Sequence, residues 1–181
     1  MGMSVTISRA AEQDAEQIFR LRYLCFQSEA ALYGDHRIGP LTESLADVRD
    51  RITAGIVCVA RLGEEVIGAV YGRATADGSG EIDGLCVHPR LQGHGIGARL
   101  LRAAEAALTE AVPVAAFRLS AGVRSEPGLR LYRSLGYEAT GRADGPDGIP
   151  RIVLERTTAV AAQGPAAQDP DAGTAVYAAT A

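Results

Sequence analysis

Hydrophobic and polar positions change their period several times along the chain. Val5-Thr6-Ile7-Ser8 alternates with period two, which predicts a half-buried strand. From Glu12 to Phe26, apolar residues such as Ile18, Leu21 and Cys25 recur at helical spacing, which predicts a first helix. The periodicity weakens from Gln27 to Pro40, around Gly34, Gly39 and Pro40. An irregular segment able to line a substrate pocket is expected there. A second helical pattern follows and ends near Ala54. Gly55 to Arg61 and Glu65 to Ala74 are β-rich runs separated by Leu62-Gly63-Glu64, a spacing suited to an antiparallel hairpin.

Asp77-Gly78-Ser79-Gly80 reads as a turn, and Glu81 to Val87 as a strand that stops at His88-Pro89, where proline cannot extend a ladder. Ile96, Leu100, Leu101, Ala104 and Leu108 mark one face of a helix from about Gly95 to Glu110. Val114 to Ala121 resumes as a strand. Ser125-Glu126-Pro127 offers a capping hydroxyl and a first-turn proline for a helix reaching Leu135. Tyr137 to Gly141 and Arg151 to Glu155 supply the last two strands. Beyond Arg156 the chain turns to alanine, glycine, proline, threonine and glutamine without periodicity, so little burial would offset ordering. One domain over 1–156 and a disordered tail over 157–181 are expected.

Composition narrows the classes. With 181 residues, 47% hydrophobic and 22% charged, the chain suits one packed domain. The net charge is −4 and the basic residues, all arginine, are scattered, which argues against a nucleic-acid partner. Cys25, Cys58 and Cys86 are odd in number and widely spaced, giving neither a disulfide framework nor a paired metal or redox motif. A reducing, cytoplasmic setting is expected. No run is long and apolar enough to span a bilayer, so no membrane partner is expected. Met1, Gly2 and Thr6 satisfy the loose myristoylation pattern, but Val5 and Ile7 already belong to a strand. His36, His88 and His94 show no metal-like spacing, and no metal is expected.

The segment with the most chemistry is Gln92-Gly93-His94-Gly95-Ile96-Gly97, between a strand and a helix. Small residues there let the backbone fold tightly while N–H groups converge at the helix N-terminus, a geometry that binds pyrophosphate. Gly93, Gly95 and Ala98 also fit a dinucleotide fingerprint, but five residues intervene after the strand and no acidic residue closes the next one. A purely structural turn is the third reading.

Val87-x-Pro89-x-x-Gln92-x-x-Gly95-x-Gly97 resembles the acyl-CoA-binding motif of the GNAT acetyltransferase superfamily. Leu131-Tyr132-Arg133-Ser134-Leu135-Gly136-Tyr137 resembles that family's second conserved segment, and the likeness spans roughly Val5 to Arg156. The resemblance implies an α/β domain with a mixed, largely antiparallel sheet of about seven strands flanked by helices, strands four and five splaying apart. It implies acetyl-CoA as co-substrate and direct transfer to a primary amine in a ternary complex. The backbones of Leu85 and Val87 would pair with the pantetheine arm, and Gln92, Gly93, His94, Gly95, Ile96 and Gly97 would hold the pyrophosphate. Tyr132 would be the general acid toward the departing thiolate. Tyr132 as a core aromatic with its hydroxyl satisfied elsewhere is the competing reading.

Amine attack also needs a base. Glu81 and Asp83 share one face of their strand by alternation, and Gly84 beside them permits a bulge. Glu81 is preferred over Asp83; the alternative is that both decorate a solvated face. Many protein-directed members carry Asn and Ala where this chain has Ser125 and Gly128, and the chain contains no asparagine. Ser125 would still bond the pantetheine arm, and a small-molecule amine becomes the favoured acceptor. A protein amine, or acyl-CoA sensing without catalysis, are the alternatives. A homodimer is compatible with the sequence and not required by it. Phe26, Leu32 and Tyr33 would either wall an acceptor pocket or pack their helix.

Overall fold

The alternating and helical runs fold into seven strands and five α-helices in the computed structural model, which describes residues 4–159. The strands are β1 (Val5–Arg9), β2 (Ile56–Leu62), β3 (Glu65–Ala74), β4 (Ser79–Val87), β5 (Ala116–Gly122), β6 (Glu138–Asp144) and β7 (Pro150–Thr157). The helices are α1 (Ala15–Tyr33), α2 (Gly39–Thr42), α3 (Leu45–Ala54), α4 (Ile96–Ala111) and α5 (Glu126–Ser134). The expected mixed α/β architecture is therefore present.

One sheet has the order β1-β2-β3-β4-β5-β7-β6. Every neighbouring pair is antiparallel except β4 and β5, which run parallel. That parallel pairing lasts only from Ser79↔Ala116 to Glu81↔Arg118. Beyond it β4 continues against β3 and β5 against β7, so a gap opens between them in mid-sheet. Gly84 stands at φ +63, where β4 bulges against β3 between the pairs Tyr71↔Asp83 and Ala69↔Cys86. A side chain would be strained there.

The sheet separates two apolar layers. Leu100, Leu101, Ala104 and Leu108 of α4, with Leu129 and Tyr132 of α5, cover one face. Ile18, Leu21, Cys25 and Phe26 of α1, with Val48 of α3, cover the other.

Several boundaries differ from expectation, β4 among them, which already begins at Ser79 inside the expected turn. Helix α1 runs seven residues past Phe26 to Tyr33 and stops where Gly34 takes a left-handed φ of 67°. The buried stripe of that extension carries Glu29 where an apolar residue would keep the period, which is why the helix fades in the sequence. Strand β6 runs past Gly141 to Asp144; it is an exposed edge strand without a buried face to impose alternation. Strand β7 extends through Thr157, and the Thr158 N–H donates to Ala115 O at 2.8 Å. The rest of the expected tail, from residue 160, lies outside the described residues.

Candidate active site at the gap between β4 and β5

The glycine-rich loop joins β4 to α4. Gly93 and Gly95 adopt φ of 79° and 77° with nothing near where a Cβ would stand, so it is their backbone conformation that selects glycine. Gly95 is the N-cap of α4, and Ile96 and Gly97 are buried in its first turn. Gln92 donates from Nε2 to Val87 O at 3.2 Å, tying the loop to the end of β4. His94 is exposed and its Nδ1 lies 3.0 Å from Gln92 O. The α4 N-terminus thereby presents its first N–H groups beside a cavity of about 150 Å³, bordered by Val87, Gln92, Gly95 and Leu131. Leu131 belongs to α5, so the two motif segments meet at one hollow. A phosphate-bearing co-substrate fits this donor set.

Tyr132, the next residue on α5, is 1% exposed. Its ring packs edge-on against Tyr137, with centroids 6.3 Å apart. Its hydroxyl has no hydrogen-bond partner among the described residues. Burial first, and then the charge of Glu29, hold the phenol's pKa well above its usual value. The hydroxyl is thus a kept proton donor. Leu85 and Val87 are buried on β4 beyond its last pair with β5, so that edge of β4 has no strand against it.

The two expected bases stand elsewhere on β4. Glu81 still pairs with Arg118 across the parallel ladder, before the gap opens, and its carboxylate is ion-paired to Arg73. Asp83 is ion-paired to Arg51 at 3.2 Å; burial raises its pKa, with Arg51 and Arg22 working against that. Both carboxylates do share one sheet face, but each is engaged by a guanidinium.

Asp83 borders a cavity of about 460 Å³ between α1, α2 and α3, walled also by Glu43, Asp47, Asp50, Arg22 and Arg51. Arg22 is the pin of this region. It is 3% exposed, bonds Glu43 Oε2 at 2.8 Å and donates from Nη1 to Gly84 O at 3.0 Å. Its guanidinium also lies 4.3 Å from the Tyr71 ring centroid. A Cβ on Gly84 would come within 2.3 Å of Arg22 Nη1, so the glycine makes room for the pin.

Ser125 does not cap α5 with its side chain; its Oγ donates to Glu29 Oε1 at 3.3 Å. Phe26 is fully buried in the core and Leu32 is exposed. The Tyr33 hydroxyl accepts from Arg124 N–H at 2.9 Å. Sequence reading did not single out Glu29, Arg22 or Glu43. The available signal was a run of charged residues, Arg22 and Glu29, set at helical spacing into an apolar stripe. Cys25, Cys58 and Cys86 are all buried free thiols. No helix among the described residues is long and apolar enough to cross a membrane.

Residues 53–139 match the family model described as the acetyltransferase (GNAT) domain. Among curated proteins none matches the chain in sequence. Solved structures share the fold. Ard1 from Thermoplasma volcanium superposes with TM-score 0.67 at 19% identity, covering 84% of this chain and 97% of its own. For yncA from Salmonella typhimurium, solved with its cofactor acetyl-CoA, the values are 0.67, 18%, 84% and 93%. The aminoglycoside acetyltransferase AAC(6′)-Ib in complex with coenzyme A gives 0.65, 23%, 87% and 96%. With its paired motifs, the domain matched over residues 53–139 and its splayed sheet, this chain carries a GNAT acetyltransferase domain, the domain of an acyl-CoA-dependent acetyltransferase.

Proposed function

We propose that the protein transfers the acetyl group of acetyl-CoA to a primary amine of a small, cationic molecule, by direct attack in a ternary complex in the cytoplasm. The observation that carries this reading is the cavity where the glycine-rich loop meets Leu131 of α5, next in sequence to Tyr132 with its buried, unpartnered hydroxyl. The α4 N-terminus suits the pyrophosphate, the β4 edge at Leu85 and Val87, which has no strand against it, suits an extended pantetheine arm, and Ser125 is proposed to bond that arm. Tyr132, kept protonated by burial, supplies a proton to the departing thiolate.

The second cavity supports the acceptor class. Four carboxylates, Glu43, Asp47, Asp50 and Asp83, face two guanidiniums there, a balance that favours cationic molecules. Asp83 is proposed to contribute to this negative field. That AAC(6′)-Ib is an aminoglycoside acetyltransferase agrees with the small-molecule reading.

Thiol release from acetyl-CoA, followed across small polyamines, amino sugars and short peptides, tests it. Turnover confined to small amines is expected. Turnover on peptides alone would move the acceptor to protein amines, and tight acetyl-CoA binding without turnover would make the protein a sensor.

A further inference from the structure

Helix α1 crosses the gap, and its buried stripe marks the crossing residue by residue. Arg22 touches the β4 bulge through Gly84 O. One turn on, Cys25 Sγ donates to Val87 O at 3.3 Å, at the end of β4. Two turns further, the Tyr33 hydroxyl meets the Arg124 N–H just after β5. Gly122 at the end of β5 lacks a side chain where a Cβ would lie 2.2 Å from that hydroxyl. Between Cys25 and Tyr33, on the same stripe, stands Glu29.

Glu29 is 4% exposed. Its Oε1 accepts from Ser125 Oγ, while its Oε2 is buried and has no hydrogen-bond partner among the described residues. A buried carboxylate oxygen without a donor is costly, and such a site is kept where a ligand supplies the donor. Glu43, Asp83 and Glu81, by contrast, are each ion-paired to arginine. The second orphan is the Tyr132 hydroxyl, which approaches from the opposite face of the sheet and feels the charge of Glu29. Two unsatisfied groups, one acceptor and one donor, thus converge from the two faces on the gap.

We propose that Glu29 is the proton acceptor of the transfer: its free Oε2 receives the hydrogen bond of the incoming amine and takes the amine's proton as the new C–N bond forms. This rests on the acetyltransferase reading of the same gap. As the C–S bond breaks, Tyr132 gives its phenolic proton to the thiolate. The proton held by Glu29 then restores the phenol, so the pair returns to its starting state. Amine plus thioester become amide plus thiol with no proton left over. Burial, opposed by Arg151 and Ser125, lifts the Glu29 carboxyl to about 7, so it both accepts and returns a proton near neutrality. The groups facing it are Ser125 just before α5, Tyr132 of α5, Arg151 of β7, and Asp147 in the turn before β7, which is ion-paired to Arg151 at 3.0 Å.

The test compares the native chain with Glu29→Gln, which preserves shape and the Ser125 contact, and with Glu29→Asp. Acetyl-CoA affinity is read by calorimetry and kcat by thiol release at saturating amine from pH 5.5 to 9. Expected are unchanged acetyl-CoA binding, a kcat about 100-fold lower in Glu29→Gln with its acidic limb near pH 7 gone, and partial recovery in Glu29→Asp. Glu29→Gln retaining kcat and the acidic limb would overturn the assignment, as would loss of that limb in Glu81→Gln or Asp83→Asn instead. A native chain that binds acetyl-CoA yet turns over no amine would overturn the proposed function itself, a result distinct from a normally active Glu29→Gln.

Discussion

Replacing Tyr132 by phenylalanine should raise stability and lower activity at once. The ring is buried against Leu129 and Tyr137, and phenylalanine keeps that packing. What disappears is one hydroxyl, buried and without a hydrogen-bond partner among the described residues. An unsatisfied buried hydroxyl costs about 1–3 kcal/mol, so Tyr132→Phe should gain about 1 kcal/mol or more. For a chain of this size that raises Tm by about 2–4 °C per kcal/mol. Turnover should move the other way. Loss of a general acid lowers kcat by about 100-fold or more, equivalent to about 2.7 kcal/mol at the transition state. Thermal unfolding with and without acetyl-CoA, paired with thiol release, reads both. Acetyl-CoA should raise the native Tm more than the variant's, because the native hydroxyl gains a partner when the co-substrate binds. A drop in stability of more than about 1 kcal/mol would mean that the hydroxyl is already satisfied. An unchanged kcat would remove Tyr132 from the proton path.

Other perturbations follow from the same contacts. The Glu29 carboxyl is raised from 4.5 to about 7 on folding, so its ionisation opposes the folded state. The penalty is fully present above about pH 7, shrinks as pH falls toward 4.5 and is absent below it; it amounts to at most about 3 kcal/mol. Stability should therefore rise on acidification from pH 8 to 5.5, and Glu29→Gln should flatten that slope in denaturant titrations. Arg22→Leu leaves Glu43 still held by Arg51 Nε at 2.8 Å, whereas Glu43→Leu takes the carboxylate from the buried Arg22 guanidinium and leaves Arg51 with Asp83. Chemical denaturation should show about 3 kcal/mol lost in the first and more in the second; equal losses would refute the shared pairing. Gly122→Ala puts a Cβ against the Tyr33 hydroxyl and should displace the end of α1, lowering kcat by at least about 10-fold while acetyl-CoA binding persists. A fully active Gly122→Ala would show that the end of α1 is not needed in place.

How much was legible depends on whether a residue's task is local. The strand pairs around Gly63 and Gly78, the turn at Gly93 and Gly95 and the amphipathic α4 follow from short-range pattern and backbone preference, and all are present. Gly84 was legible for the same reason: a glycine inside a strand announces a bulge. Glu81 and Asp83 were visible as two acids on one face, yet sequence spacing carries nothing about Arg73 and Arg51, which engage them from β3 and α3. Helix α1 was cut short because Glu29 interrupts its apolar stripe, and an interrupted stripe looks the same whether the helix has ended or a charge has been buried on purpose.

The amino-acid sequence alone determined the order of elements, the phosphate-suited loop and the Tyr132 segment, because each rests on neighbours within one or two turns or one hairpin. Only the tertiary structure decided that β4 and β5 part after Glu81, that α1 bridges the opening, and that Glu29 and Tyr132 come to it from opposite faces with unpaired oxygens. Those relations join residues about a hundred positions apart, such as Glu29 and Ser125. They are set by how helices pack on a twisted sheet, which no local pattern encodes.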